Sequence, residues 1–132
     1  RIKRFKQDCL VIAPHPYYCN PLLFFFKNSL HEKLKQNIDA FDAIEFSHFY
    51  WRAYNPNKKA VEIAKECQKT IIGNGDVHRL YQFNYTYSMI DAEKNIERIF
   101  SALRAGNVKL VTQELPFHTF LWLAILNMLS LT

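Results

Sequence analysis

Thr70-Ile71-Ile72-Gly73-Asn74-Gly75-Asp76-Val77-His78-Arg79 decides how this chain is read. Thr70 to Ile72 is rich in β-branched side chains and reads as a strand that runs out beside glycines. Just beyond it, Asp76 and His78 stand two residues apart. If the backbone stays extended there, both side chains point to the same side, so one loop presents an oxygen and an imidazole together. Loops at strand ends carry binding and catalytic groups disproportionately often. A second segment has the same character: Val11-Ile12-Ala13-Pro14-His15-Pro16 sets another histidine at a strand end, between two prolines.

Working outward, strands and helices alternate. Cys9 to Ala13 is a short apolar run stopped by Pro14, the pattern of a buried strand. A helical pattern covers Ser29 to Asn37, and Ala43 to Phe46 reads as the next strand. Asn57 is positioned as the N-cap of a helix whose apolar face is Ala60, Val61, Ile63, Ala64 and Cys67. After the Thr70 strand, Leu80 to Tyr85 reads as a polar-aromatic loop and Thr86 to Ile90 alternates like a strand. Asp91 is then expected to cap a helix over Ala92 to Ala105, with Ile96, Ile99, Phe100 and Leu103 inward and Gly106 as its stop. Val108 to Val111 is the fifth strand. Such alternation argues for an α/β fold with a largely parallel sheet.

The chain has 132 residues, nearly half of them hydrophobic and 15% aromatic, enough for one packed domain. Its formal charge of +5 favours anionic partners such as phosphate esters or nucleic acid, though so small an excess argues only weakly. Arg1, Lys3, Arg4 and Lys6 crowd the start, where they read as a solvated end. Cys9, Cys19 and Cys67 lack Cys-x-x-Cys spacing and read as reduced thiols, so a cytoplasmic setting is expected. No signal peptide is evident, and the start at Arg rather than Met points to an excerpt or a processed product. The apolar tail from Phe117 to Leu131 is shorter than the ~20 residues that cross a bilayer and reads as a buried or partner-facing helix.

These pieces, in order, resemble a known family. Pro14-His15-Pro16, Asp42-Ala43-Ile44-Glu45-Phe46, Asn57 to Ala64, Gly75-Asp76-Val77-His78, Tyr85-Thr86-Tyr87 and the helix ending Ala102-Leu103-Arg104-Ala105-Gly106 are similar to the C-terminal half of PHP domains. These are the polymerase and histidinol phosphatase superfamily of metal-dependent phosphoesterases. The resemblance covers about residues 9 to 112. It implies the C-terminal part of a distorted (β/α)7 TIM-like barrel, with about five strands alternating with helices, spanning 1–112. Residues 113–132 would then be an apolar C-terminal helix. It further implies a cluster of zinc, manganese or iron ions that activates water against a phosphate ester. Carried over, His15, Asp76 and His78 are metal ligands and Glu45 holds a ligand from behind; Arg79, by its place directly after the pair, is a candidate to meet a substrate phosphate oxygen.

The family's His-x-His motif occurs nowhere in the chain, and neither do its other early ligands. Two functions therefore stand side by side. One is a phosphoesterase whose remaining ligands come from a missing N-terminal half or a homo-oligomer partner. The other is a non-catalytic PHP-derived scaffold or interaction module. Each candidate also has a plainer role: Asp76 and His78 as a turn pair, His15 as a rigid-loop residue, Arg79 as a surface cation. His48 reads as packed in an aromatic stretch, and Phe24-Phe25-Phe26 as a patch awaiting a partner.

Overall fold

A computed structural model describes residues 9–19, 21–22 and 30–129 of the chain. Strands β1 (Ile12–Ala13), β2 (Ala43–Ser47) and β3 (Thr70–Asn74) form a parallel sheet in that order. The central strand β2 is buried at every position, as a parallel strand covered on both faces must be. On one face Ile44 packs with Ala13, with Leu34 of α1 (Leu30–Gln36) and with Ala60, Ile63 and Ala64 of α2 (Asn57–Glu66). A second cluster, Ala43, Ile72 and Leu103, joins the sheet to the segment beyond β3. Each large aliphatic side chain buried this way contributes about 1.5–3 kcal/mol.

The α2 start departs from expectation. Asn57 is the first helical residue rather than the cap, and its buried amide clips the end of β2. Its Oδ1 accepts from the Ser47 N–H at 2.9 Å and its Nδ2 donates to the Ser47 carbonyl at 3.0 Å. Asn55 Oδ1 takes the Asn57 N–H instead, at 3.1 Å.

Strands β4 (Thr86–Ile90) and β5 (Val108–Thr112) pair antiparallel in a sheet of their own, from Thr86↔Thr112 to Ile90↔Val108. This corrects the largely parallel sheet. Because Val108 lies opposite Ile90, the excursion through residues 91–107 returns to the end where it began; it is a long hairpin connection and not a crossover. Helix α3 (Ile96–Ala105) lies within it. It begins at Ile96 rather than Ala92 because Asn95, not Asp91, caps it, accepting from the N–H groups of Glu97 and Arg98 at 2.9 and 3.4 Å. Ile96 is consequently exposed, whereas Leu103 is buried. Gly106, with φ 78°, closes the helix in the left-handed conformation.

Gly73 is where the hairpin meets β3. Its N–H donates to Ser88 Oγ at 2.7 Å, and that hydroxyl donates back to the Gly73 carbonyl at 3.0 Å. Helix α4 (Phe117–Leu129) sets Phe120, Leu123 and Ala124 against Phe49 and Leu115, with the Phe49 and Phe120 rings stacked at 4.7 Å. Its other side leaves Trp122 and Leu129 exposed. Among the described residues no helix is long and apolar enough to cross a membrane, and the strands form an α/β arrangement without a closed barrel. The N-terminal basic cluster and Phe24-Phe25-Phe26 lie outside the described residues.

Candidate functional site

The carboxyl ends of the three parallel strands open into one cleft. Past β1, the chain turns at His15, which has a positive φ of 22° and accepts the Tyr18 N–H at 2.9 Å. From the middle of β2, buried Glu45 reaches this turn. Its Oε2 takes the His15 backbone N–H at 2.9 Å and lies 3.2 Å from Nδ1 of the ring. A carboxylate there makes Nδ1 the protonated nitrogen and leaves Nε2 as the lone-pair nitrogen of the neutral ring. The Glu45 hydrogen bond raises the His15 pKa, helped by the charges of Glu45 and Asp76 and opposed by burial.

Past β3, Asp76 adopts φ 40°, a left-handed conformation that costs a non-glycine residue energy. The backbone there is thus not extended. Asp76 and His78 meet across a turn instead of sharing a strand face, with His78 Nε2 3.3 Å from Asp76 Oδ1. Both are accessible, the His78 side chain 75% exposed and that of Asp76 39%.

His15, Asp76 and His78 line a single cavity of about 230 Å³, together with His48, Tyr18 and Asn127. Glu45 stands behind His15. Arg79 is exposed and is not part of the lining, although it directly follows His78. Tyr18 packs edge-on to the His15 ring at 5.7 Å and accepts from Asn127 Nδ2 at 3.0 Å, so α4 supplies one wall.

His48 has a larger part than its aromatic surroundings imply. It sits in the cavity wall, 3% exposed, with Nε2 3.3 Å from Gln82 Nε2. Burial lowers its pKa; Asp76 and Glu45 oppose that shift, and His78 and His15 add to it. Gln82, Tyr18 and Asn127 carry no sequence signal of their own, since their roles depend on partners remote in the chain.

The donor set is imidazole nitrogen and carboxylate oxygen, suited to borderline divalent cations. Two buried polar atoms at the site, Glu45 Oε1 and His48 Nδ1, have no partner among the described residues, which leaves room for a further ligand-side contact. Among the described residues, however, no three His, Cys, Asp or Glu side chains gather closely enough to hold a metal ion by themselves. The residues present therefore fit part of a cation site. No protein-family model matches the chain, and no curated protein matches it.

Proposed function

We propose that this cleft is one side of a divalent-cation site in a PHP-like phosphoesterase, and that the parallel sheet is the C-terminal part of a distorted (β/α)7 barrel. The observation that carries this reading is the convergence of His15, Asp76 and His78, from the ends of β1 and β3, on one cavity. Ligands of open α/β sheets characteristically bind at the carboxyl ends of the strands. Strained backbone at His15 and Asp76 adds support, because such strain concentrates at binding sites.

In this reading His15 offers Nε2, its ring held through Nδ1 by Glu45, the carboxylate–histidine pairing that orients metal ligands elsewhere. Asp76 and His78 supply an oxygen and a second imidazole. A bound zinc, manganese or iron ion would supply Lewis-acid polarisation of a phosphate ester and ease the deprotonation of the water that attacks it. Arg79 sits close enough in the chain to swing a guanidinium toward a phosphate oxygen. The ligands still needed come from residues outside the described set or from a partner chain.

Zinc and manganese titration of wild type and His78→Ala, with elemental analysis and a generic phosphatase assay, tests the assignment. The variant is expected to bind at least tenfold more weakly. Unchanged metal stoichiometry and affinity would remove His78 from the ligands. No binding and no turnover in wild type would favour the scaffold, for which the lack of a three-group cluster among the described residues speaks.

A further inference from the structure

Between Val77 and Asn84 every side chain is exposed except that of Gln82, which is 3% exposed. The loop carrying His78 is therefore tied into the protein interior through one amide. Gln82 Oε1 accepts from the backbone N–H of His78 at 2.9 Å and of Arg79 at 2.6 Å. Two donors meeting one oxygen determine which way the amide faces: the oxygen toward the loop, the NH2 group toward the interior. That NH2 lies 3.3 Å from Nε2 of His48. An amide NH2 can only donate, so His48 Nε2 accepts and the neutral ring carries its proton on Nδ1. Nothing among the described residues competes from the Nδ1 side.

We infer that Gln82 is a positioning residue that latches the His78–Arg79 backbone to His48 in its Nδ1–H tautomer and so holds the Asp76–His78 pair at the cleft. The latch needs a carboxamide. It requires an acceptor facing the loop and a donor facing the ring, and a carboxylate or a hydrocarbon of similar size lacks one or both. The hydrogen-bond chain is independent of any cation; only its consequence for cation affinity rests on the function proposed above.

The test combines Gln82→Glu and Gln82→Leu with nitrogen-resolved NMR of the imidazoles, amide exchange and zinc titration. Wild type is expected to show His48 as Nδ1–H. In Gln82→Glu the loop keeps its acceptor, but a carboxylate oxygen now faces His48, so a proton appears on Nε2. In Gln82→Leu, exchange at His78 and Arg79 is expected to accelerate at least tenfold while β2 and β3 exchange as before, and zinc affinity to fall by a similar factor. His48 as Nε2–H in wild type would overturn the latch, as would unaltered exchange at His78 and Arg79 in a folded Gln82→Leu. Should Gln82→Leu fail to fold, the proton shift in Gln82→Glu decides. If wild type binds zinc and both variants bind it equally well, the positioning role is refuted. If wild type binds none, the proposed function fails, and the tautomer and exchange data still judge the latch.

Discussion

Gly73→Ala inserts a methyl group at the seam between β3 and the β4–β5 hairpin. Its Cβ would lie 2.6 Å from Leu110 Cδ1, 2.8 Å from the Tyr87 carbonyl oxygen and 3.0 Å from Thr86 Cγ2. The Leu110 side chain can turn aside, but the Tyr87 carbonyl belongs to the backbone of β4 and moves only with its strand. Reaching ordinary contact at 3.4 Å requires a retreat of about 0.6 Å, the difference from 2.8 Å. That retreat would stretch the two bonds through which Ser88 bridges Gly73, now 2.7 and 3.0 Å, toward or past the hydrogen-bonding limit. Overpacking costs about 1–3 kcal/mol, and each weakened hydrogen bond up to about 0.5–1.5 kcal/mol. The stiffer unfolded chain of alanine returns about 0.5–1 kcal/mol. The net expectation is a loss of about 2–4 kcal/mol, which at a slope of about 2 kcal/mol/M lowers the urea midpoint by roughly 1–2 M. Urea unfolding followed by circular dichroism measures it. Adding Leu110→Ala should recover less than half, since the carbonyl clash persists. Wild-type stability in Gly73→Ala, or full recovery in the double variant, would refute the description of this seam.

Asn57→Leu keeps a side chain of similar size but removes the Asn57 partner from both backbone groups of buried Ser47; at about 1–3 kcal/mol per orphaned group, a loss of about 2–6 kcal/mol is expected in chemical unfolding, and a loss below about 1 kcal/mol would contradict it. Glu45→Gln should lower the His15 pKa, read by NMR titration, because Glu45 is the main cause of its elevation. A folded pKa above the unfolded value of about 6.5 gives stability that is fully present below that pH and fades as pH rises through the folded value. The stability advantage of wild type over Glu45→Gln is therefore expected to be largest in mild acid and to narrow toward alkaline pH, and a gap that widened would reverse the assignment.

Strands rich in β-branched residues and bounded by glycine, proline or asparagine are legible from the chain: β4 runs over Thr86–Ile90 as its alternation indicates, and β2 and β3 differ only by a residue or two at their ends. The direction in which β5 pairs is not, because hydrophobic pattern marks a strand and is silent about its neighbour. Sequence pattern starts helix α3 too early because Asp91 and Asn95 are both competent caps, and only the geometry of Asn95 distinguishes them. At the site, His15, Asp76 and His78 stand out as titratable residues in loops after strands, and the three line one cavity. Their meeting depends on turns at His15 and Asp76, where both non-glycine residues take positive φ, something local propensity argues against. Gln82 and His48 are 34 positions apart in the chain; a hydrogen bond over that distance leaves no periodic trace, so the latch is visible only in the folded chain.

The seam at Gly73 also bears on the order of assembly. β2, α2 and β3 occupy a contiguous stretch, as do β4, α3 and β5, and each stretch closes its own ladder between neighbours in sequence. Because Ala43 pairs with Thr70 and Thr86 with Thr112, neither ladder needs the other to close. The segment from Gly75 to Tyr85, with Asp76, His78 and Gln82, is the splice between them. That splice forms one wall of the cleft, and α4 forms another through Asn127 on Tyr18, so the cleft is closed by segments outside both ladders. Sub-global opening, in cooperative blocks, that frees the splice would therefore empty the cleft with both ladders intact, making occupancy of the cleft and attachment of the splice a single equilibrium.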